Sequence, residues 1–314
     1  MFPRKNRLVV LTYHRVLSRP EVASTADIDA DQFDMHVKTL DRYFNVLSLR
    51  DAVSLLDQRR LPARSVCITF DDGYKDNVTR ALPILEGHGV PATFFIATGY
   101  LDGGVMWNDV IIEAAKQSPR TDVDLEELGF GNHALTSDTE RQQLIAALLP
   151  AIKYLDTKTR DTLAAGIAER LEFVPPTDLM MASDDLQVLH RAGMEVGGHT
   201  QRHPILAAVD DEVARREILD GKRDIEALLG APITSFAYPN GRPGTDYYAR
   251  HAQLVREAGF ERAVTTAPGT INASDDRFQL GRFGVWHRSP AKLILRVLAN
   301  FFEAPAEQLA ADVM

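Results

Sequence analysis

The stretch SVCITFDDGYKDNVTRALPILEGHGVPATFFIATGY, residues 65–100, decides the fold. It opens with Ser65–Phe70, a short apolar, β-favouring run that reads as a buried strand. Asp76–His88 has a helical pattern closed by Gly89, and Ala92–Ala97 is a second buried run. Strand, helix and strand in this order argue for a parallel βα unit. The same rhythm continues on both sides. Upstream, Leu8–Tyr13 reads as a strand, followed by a polar loop to about Asp31. Gln32–Arg42 then reads as a helix, Asn45–Leu49 as a strand and Leu49–Gln58 as a helix. Downstream, strands are expected at Met194–Gly197, Ser235–Tyr238, Arg262–Thr266 and Leu280–Val285. The helices between them are Ser183–Ala192, Asp210–Leu229 and Asp246–Ala258, and Pro290 opens a final one. The pattern suits either an open parallel sheet or a barrel.

The rhythm breaks between about Gly99 and Pro176. There Asn108–Gln117 and Thr139–Phe173 read as helices joined by a loop rich in Asp, Gly and Asn. We take residues 100–178 as a helical insertion within a single domain spanning 1–314, with 289–314 as a helical tail.

Composition narrows the function. The chain has 314 residues, 45% hydrophobic and 25% charged, the ordinary globular balance. Its formal net charge of -9 does not favour wrapping a nucleic acid, which needs clustered Lys and Arg. Cys67 is the single cysteine, so neither an internal disulfide nor a Cys-based zinc cluster can form. Alternating with Ile68 in a buried strand, it reads as core. The apolar run Leu8 to Leu11 is too short for a signal-peptide core, and no stretch approaches the roughly 18 apolar residues of a membrane span. A cytoplasmic protein is the expectation. The tail mixes Lys292 and Arg296 with Leu293, Ile294, Leu295, Val297, Leu298, Phe301 and Phe302, a pattern of a packed helix or of peripheral contact with the inner face of a membrane.

In parallel α/β folds, reactive side chains gather where strands end. His14 follows the first strand, Asp71 and Asp72 follow Ser65–Phe70, and His199 and His203 follow Met194–Gly197. Pro239-Asn240-Gly241 follows Ser235–Tyr238, and the last strand carries Arg282 with His287 beyond it. Each piece alone has a plain structural reading, as a turn or a surface histidine. Their convergence on one rim points to a metal site. Two imidazoles and a carboxylate suit Zn²⁺, Co²⁺, Ni²⁺ or Fe²⁺ and leave positions open for water and substrate. Such a cation lowers the pKa of its water and polarises a carbonyl.

These residues resemble the polysaccharide deacetylases, carbohydrate esterase family 4, with the NodB homology domain. ITFDDGY at 68–74, GGHTQRHP at 197–204 and FAYPNGRPG at 236–244 are similar to that family's successive motifs, and LTYHRV at 11–16 and PATFFIATGY at 91–100 also look familial. The resemblance runs from about Leu8 to Val285 and implies an irregular (β/α) barrel of about seven strands. It implies Asp71 as catalytic base, Asp72, His199 and His203 as ligands of a divalent metal, chiefly Zn²⁺, and Thr200 and Pro204 as shapers of the histidine loop. A backbone N–H near Asn240 would meet the oxyanion, and Arg282 would pair with the base.

The sequence departs from the family in two places. The usual third motif carries an Arg before Pro-Pro-Tyr, whereas here it reads Phe-Ala-Tyr-Pro-Asn-Gly. The late Leu-x-x-His motif is absent from Leu280-Gly281-Arg282-Phe283. Members with an N-terminal Tyr-His segment look circularly permuted, which makes His14 the expected general acid and His287 the second candidate. Tyr74 and Tyr238 flank the motifs and are expected substrate contacts, while Trp107 reads either as a sugar-stacking wall or as packing. The remaining histidines carry no partner pattern. The implied reaction removes acetyl from an N-acetylated saccharide. The alternatives are hydrolysis of a non-sugar amide, ester or other C–N bond on the same scaffold, and a silent glycan-binding protein, against which the intact Asp71 argues.

Overall fold

The computed structural model describes residues 6–19 and 28–310. The basic start of the chain, most of the polar loop before Asp31 and the last four residues of the tail lie outside the described residues. The chain divides into two compact units, Met1–Leu101 with Met181–Met314, and Asp102–Met180.

The first unit is built on a parallel sheet. Its strands run in the order Arg262–Val264, Ser235–Ala237, Glu195–Gly198, Thr93–Ile96, Ser65–Phe70, Leu8–Tyr13 and Phe283–Gly284, with Asn45–Val46 also paired to Ser65–Phe70. A parallel bridge between Val264 and Leu280 joins the two ends, giving the (β/α) barrel that the rhythm allowed. The expected strand Leu280–Val285 is regular only at Phe283–Gly284. Before it, Leu280 and Arg282 donate instead to the carbonyls of Ala263 and Ala267.

Side chains alternate across a strand, so each strand feeds two cores. Leu8, Val10, Cys67, Phe95, Ala237, Val264 and Leu280 form one buried cluster, which includes Cys67 as expected. Val9, Leu11, Tyr13, Val66, Ile68, Phe70, Phe94, Ile96, Val196 and Phe236 face the other way, against the helices. Space on the first face is short. A Cβ on Gly197 would stand 2.7 Å from the Phe95 ring and from the Ser235 carbonyl oxygen.

Helices Ala30–Tyr43, Leu49–Asp57, Leu82–His88, Ser183–Arg191, Asp211–Leu229, Ala249–Glu257 and Pro290–Asn300 surround the sheet. Asp211–Leu229 ends on Gly230 at φ 65°, the left-handed stop its sequence promises. The helix expected from Asp76 begins instead as a π-helical turn, Asn77–Ala81, where the Leu82 N–H reaches back to the Asn77 carbonyl. Pro83 follows at once and has no N–H to donate to a tighter ladder.

The second unit holds Trp107–Gln117, Asp138–Ile152 and Thr157–Arg170. The run expected as Thr139–Phe173 is thus two helices, the second opened by the Asp156 carboxylate accepting from the Thr159 N–H. The expected loop is an antiparallel hairpin, Asp122–Leu125 with Gly131–Ala134. This unit has its own core of Trp107, Ile111, Val123, Leu125, Leu144, Leu148, Ile152, Ala164 and Ile167. Trp107 is buried there beneath the Arg160 guanidinium, so packing is the reading that holds.

Candidate active site

The site grows from the end of Ser65–Phe70. Cys67, Thr69 and Asp71 share one side of the strand by alternation. Arg282, fully buried, meets them there. Its guanidinium donates to both carboxylate oxygens of Asp71 at 2.7 and 2.8 Å, to Thr69 Oγ1 at 3.0 Å and to the Thr265 carbonyl at 3.1 Å. A forked pair of this kind is fixed in plane and direction. Burial pushes the Asp71 carboxyl up, but the Arg282 guanidinium and the His199 imidazole outweigh it and hold the group below the ordinary carboxylate range. Thr69 joins the site without belonging to any of the sequence motifs' charged or imidazole groups. Its place two residues before Asp71 was the available signal.

Asp72 takes φ 78°, turning its side chain away from that of its neighbour. Its Oδ1 lies 3.4 Å from His199 Nε2 and 3.5 Å from His203 Nε2. That oxygen is buried without a hydrogen-bond partner. The three ligating atoms lie within 4.8 Å of one another. Atoms about 2.0–2.1 Å from a tetrahedral ion stand about 3.3 Å apart, close to the two spacings seen. His199 donates its Nδ1–H to the Ala237 carbonyl at 2.7 Å, which fixes the tautomer and leaves the Nε2 lone pair facing Asp72. Buried imidazoles are pushed down, yet Asp72 and Asp71 raise His199 above its usual value. Despite burial, those same imidazoles hold Asp72 well below the carboxylate range. An orphaned carboxylate oxygen, a fixed tautomer and ligand-like spacings together fit a divalent cation.

The remaining expected residues divide. His14 shares the face of Leu8 and Val10 by alternation and is exposed at the strand end. Its backbone is braced on both sides. Asn77 Nδ2 donates to the His14 carbonyl at 2.8 Å, and Asp76 accepts from the Val16 N–H and from Arg15. Asn240 has φ 58°, and its carbonyl accepts from Thr266 Oγ1. Its N–H donates to no backbone carbonyl among the described residues. His287 is half-buried, its ring parallel to Trp286 and its carbonyl accepting from His36 Nε2 at 2.7 Å.

Tyr238 and Tyr74, the expected substrate contacts, are both buried. Tyr238 is 1% exposed; it follows Phe236 onto the helix-facing core, stacks on Tyr247 at 4.0 Å, and donates its hydroxyl to the Phe278 carbonyl. Tyr74 is 3% exposed, with the Arg15 guanidinium over its ring.

Asp72, Thr200, His203 and Asn240 all adopt left-handed backbone. For non-glycine residues this costs on the order of 1–3 kcal/mol each, and such strain gathers at functional sites. Thr200, β-branched at φ 64°, is the most demanding of the four.

The sequence model of the family described as polysaccharide deacetylase matches residues 58–263. The poly-beta-1,6-N-acetyl-D-glucosamine N-deacetylase of Staphylococcus aureus (strain MRSA252) is 25% identical over 210 residues, covering 62% of this chain and 72% of that protein. Among solved structures, the Streptococcus pyogenes deacetylase PplD in complex with acetate has a TM-score of 0.62 at 19% identity, covering 92% of this chain and 97% of that one. IcaB from Ammonifex degensii has a TM-score of 0.60 at 19% identity, covering 93% and 96%.

Proposed function

The chain belongs to the polysaccharide deacetylase family, and from that premise we propose that it hydrolyses the acetamide of an N-acetylated saccharide, releasing acetate and a free amine. The observation that carries the proposal is a carboxylate clamped by Arg282 directly beside an Asp-His-His group in which Asp72 and His199 are buried and His203 is half-buried.

Asp72, His199 and His203 would hold the divalent cation, with Zn²⁺ the favoured ion for two imidazoles and one carboxylate. Such a cation supplies Lewis acidity toward a carbonyl oxygen and acidity to its water. The chain's own groups do the rest. Asp71, held ionised by Arg282, takes a proton from the attacking water. The Asn240 N–H donates to the oxygen that gains charge in the tetrahedral state. His14 gives a proton to the departing nitrogen, which leaves as the amine while the acyl carbon keeps the water oxygen. The Staphylococcus relative's polymer of β-1,6-linked N-acetylglucosamine is the first substrate to try.

Acetate release is measured across N-acetylated mono- and oligosaccharides, simple amides and esters, with enzyme stripped by chelator and reloaded with Zn²⁺ or Co²⁺. Release from the saccharides alone, lost on stripping and restored on reloading, is expected. Preference for a non-sugar amide or ester would overturn the substrate class.

We also propose that the helix Pro290–Asn300 makes peripheral contact with an anionic lipid surface. Trp286, Leu295 and Phe302 are exposed large apolar residues beside the exposed Arg288 and Lys292, and no acidic residue lies between Trp286 and Asn300. No helix among the described residues is long and apolar enough to cross a membrane. Co-sedimentation with anionic but not neutral vesicles, abolished by Leu295→Glu, is expected; equal recovery with both kinds of vesicle would refute the contact.

A further inference from the structure

Helix Asp211–Leu229 presents Glu217, Gly221 and Asp224 on one face, four and three residues apart. That face docks the loop between the two histidines of the site. Glu217 Oε2 accepts the backbone N–H groups of Gln201 at 3.0 Å and Arg202 at 2.7 Å. Gly221 lets the loop come close, since a Cβ there would stand 2.7 Å from the Thr200 carbonyl carbon and oxygen. Asp224 Oδ2 accepts from Gln201 Nε2 at 3.0 Å and from Thr98 Oγ1 at 2.7 Å.

The opposite side of the loop is held as firmly. The Gly99 N–H donates to the Gln201 carbonyl at 2.8 Å, and the Tyr100 hydroxyl to the Arg202 carbonyl at 2.9 Å. Within the loop, the His203 N–H donates to Thr200 Oγ1 at 3.0 Å. Three successive backbone N–H groups are thus taken, two of them by one carboxylate oxygen. The chain they hold includes Thr200 and His203, both left-handed. Without an acceptor at Glu217, two N–H groups would lose their partner and the strained turn would relax.

We propose that Glu217 is a positioning residue for the cation. It never touches the ion, but its carboxylate keeps the Thr200–His203 turn wound so that His203 Nε2 faces Asp72 and His199 Nε2. The proposal rests on those three residues being the cation's ligands. Outer partners that orient ligands typically contribute about 10–100-fold in metal affinity.

The test is Co²⁺ and Zn²⁺ affinity of the full chain, measured by competition with a chromophoric chelator, alongside the visible absorption of the Co²⁺ form and the thermal midpoint of the stripped protein. Glu217→Ala should weaken binding by about 10–100-fold and alter the Co²⁺ band. Glu217→Gln, which keeps an acceptor oxygen without the charge, should recover much of the loss. The exposed Glu212→Ala on the same helix should match wild type. Wild-type affinity and an unchanged Co²⁺ band in Glu217→Ala, while His203→Ala has lost the ion, would overturn the role of Glu217 and leave the ligand set standing. Wild-type affinity in His203→Ala would overturn the ligand set itself. If Glu217→Ala does not fold, Glu217→Leu, of similar size but without an acceptor oxygen, decides: a several-fold or greater weakening of Co²⁺ affinity supports the role and wild-type affinity refutes it.

Discussion

The two ends of the barrel each bury an arginine with a carboxylate, and they use the pair differently. At the ends where strands finish, Arg282 grips only Asp71 among the carboxylates of the described residues, by both oxygens, beside a cluster of imidazoles. At the ends where strands begin, Glu195 is shared. It accepts from Thr93 Oγ1, the Ser235 hydroxyl and the Arg50 N–H, while Arg262 stands 3.9 Å away and spends its donors on Thr234, Ser235 and Glu261. The lower network ties neighbouring strands through many modest bonds. The upper pair concentrates its bonding on one carboxylate, which keeps that group charged and fixed in plane.

Substitutions can break this contrast. Asp71→Asn should lower turnover by about 10²–10⁴-fold or more while cation content stays at the wild-type level, read by acetate release with metal analysis. Retained turnover would remove Asp71 from the proton transfer. Arg282→Met leaves a buried carboxylate without its partner and should cost about 3–5 kcal/mol in denaturant unfolding, with activity falling as well.

Behind the rim, His36 tests whether burial alone makes an end of the barrel sensitive to acid. It accepts from the Tyr13 hydroxyl and donates to the His287 carbonyl, and burial lowers it to about 4 from its usual 6.5. The unfolded chain therefore binds a proton that the folded chain refuses. Stability should fall as pH drops from about 6.5 toward about 4, by about 2 kcal/mol between pH 7 and 5. His36→Gln should flatten that part of the profile. The smallest effect is expected below: Glu195→Gln should cost about 1 kcal/mol with turnover unchanged. Lost activity there would show that the two ends are coupled.

Much of this was legible in the residues. The short apolar runs were buried strands because parallel strands covered on both sides have no polar face to show. Asp71, Asp72, His199 and His203 stand out in the sequence because each follows a short apolar run, where such strands stop. What escaped had weaker or misleading patterns. The hairpin Asp122–Ala134 carries Asp, Glu, Asn, His or Gly at most of its positions, with Val123 and Leu125 its only buried strand positions. Tyr238 lies beside the site motif in sequence, but its parity sends it elsewhere: two residues after the helix-facing Phe236, its ring points the same way. Glu217 gave no local sign at all. Its partners are backbone N–H groups 15 and 16 residues away, and such acceptors leave no side-chain motif to read.

The forked grip on Asp71 has a consequence for repeated cycles. With both oxygens already engaged by a permanent cation, the carboxylate is a reluctant acceptor, and at neutral pH its resting form carries no hydrogen. In the proposed reaction, a proton taken up by Asp71 would therefore be held loosely and would pass readily to a stronger base, so that Asp71 would serve as a way-station instead of a store.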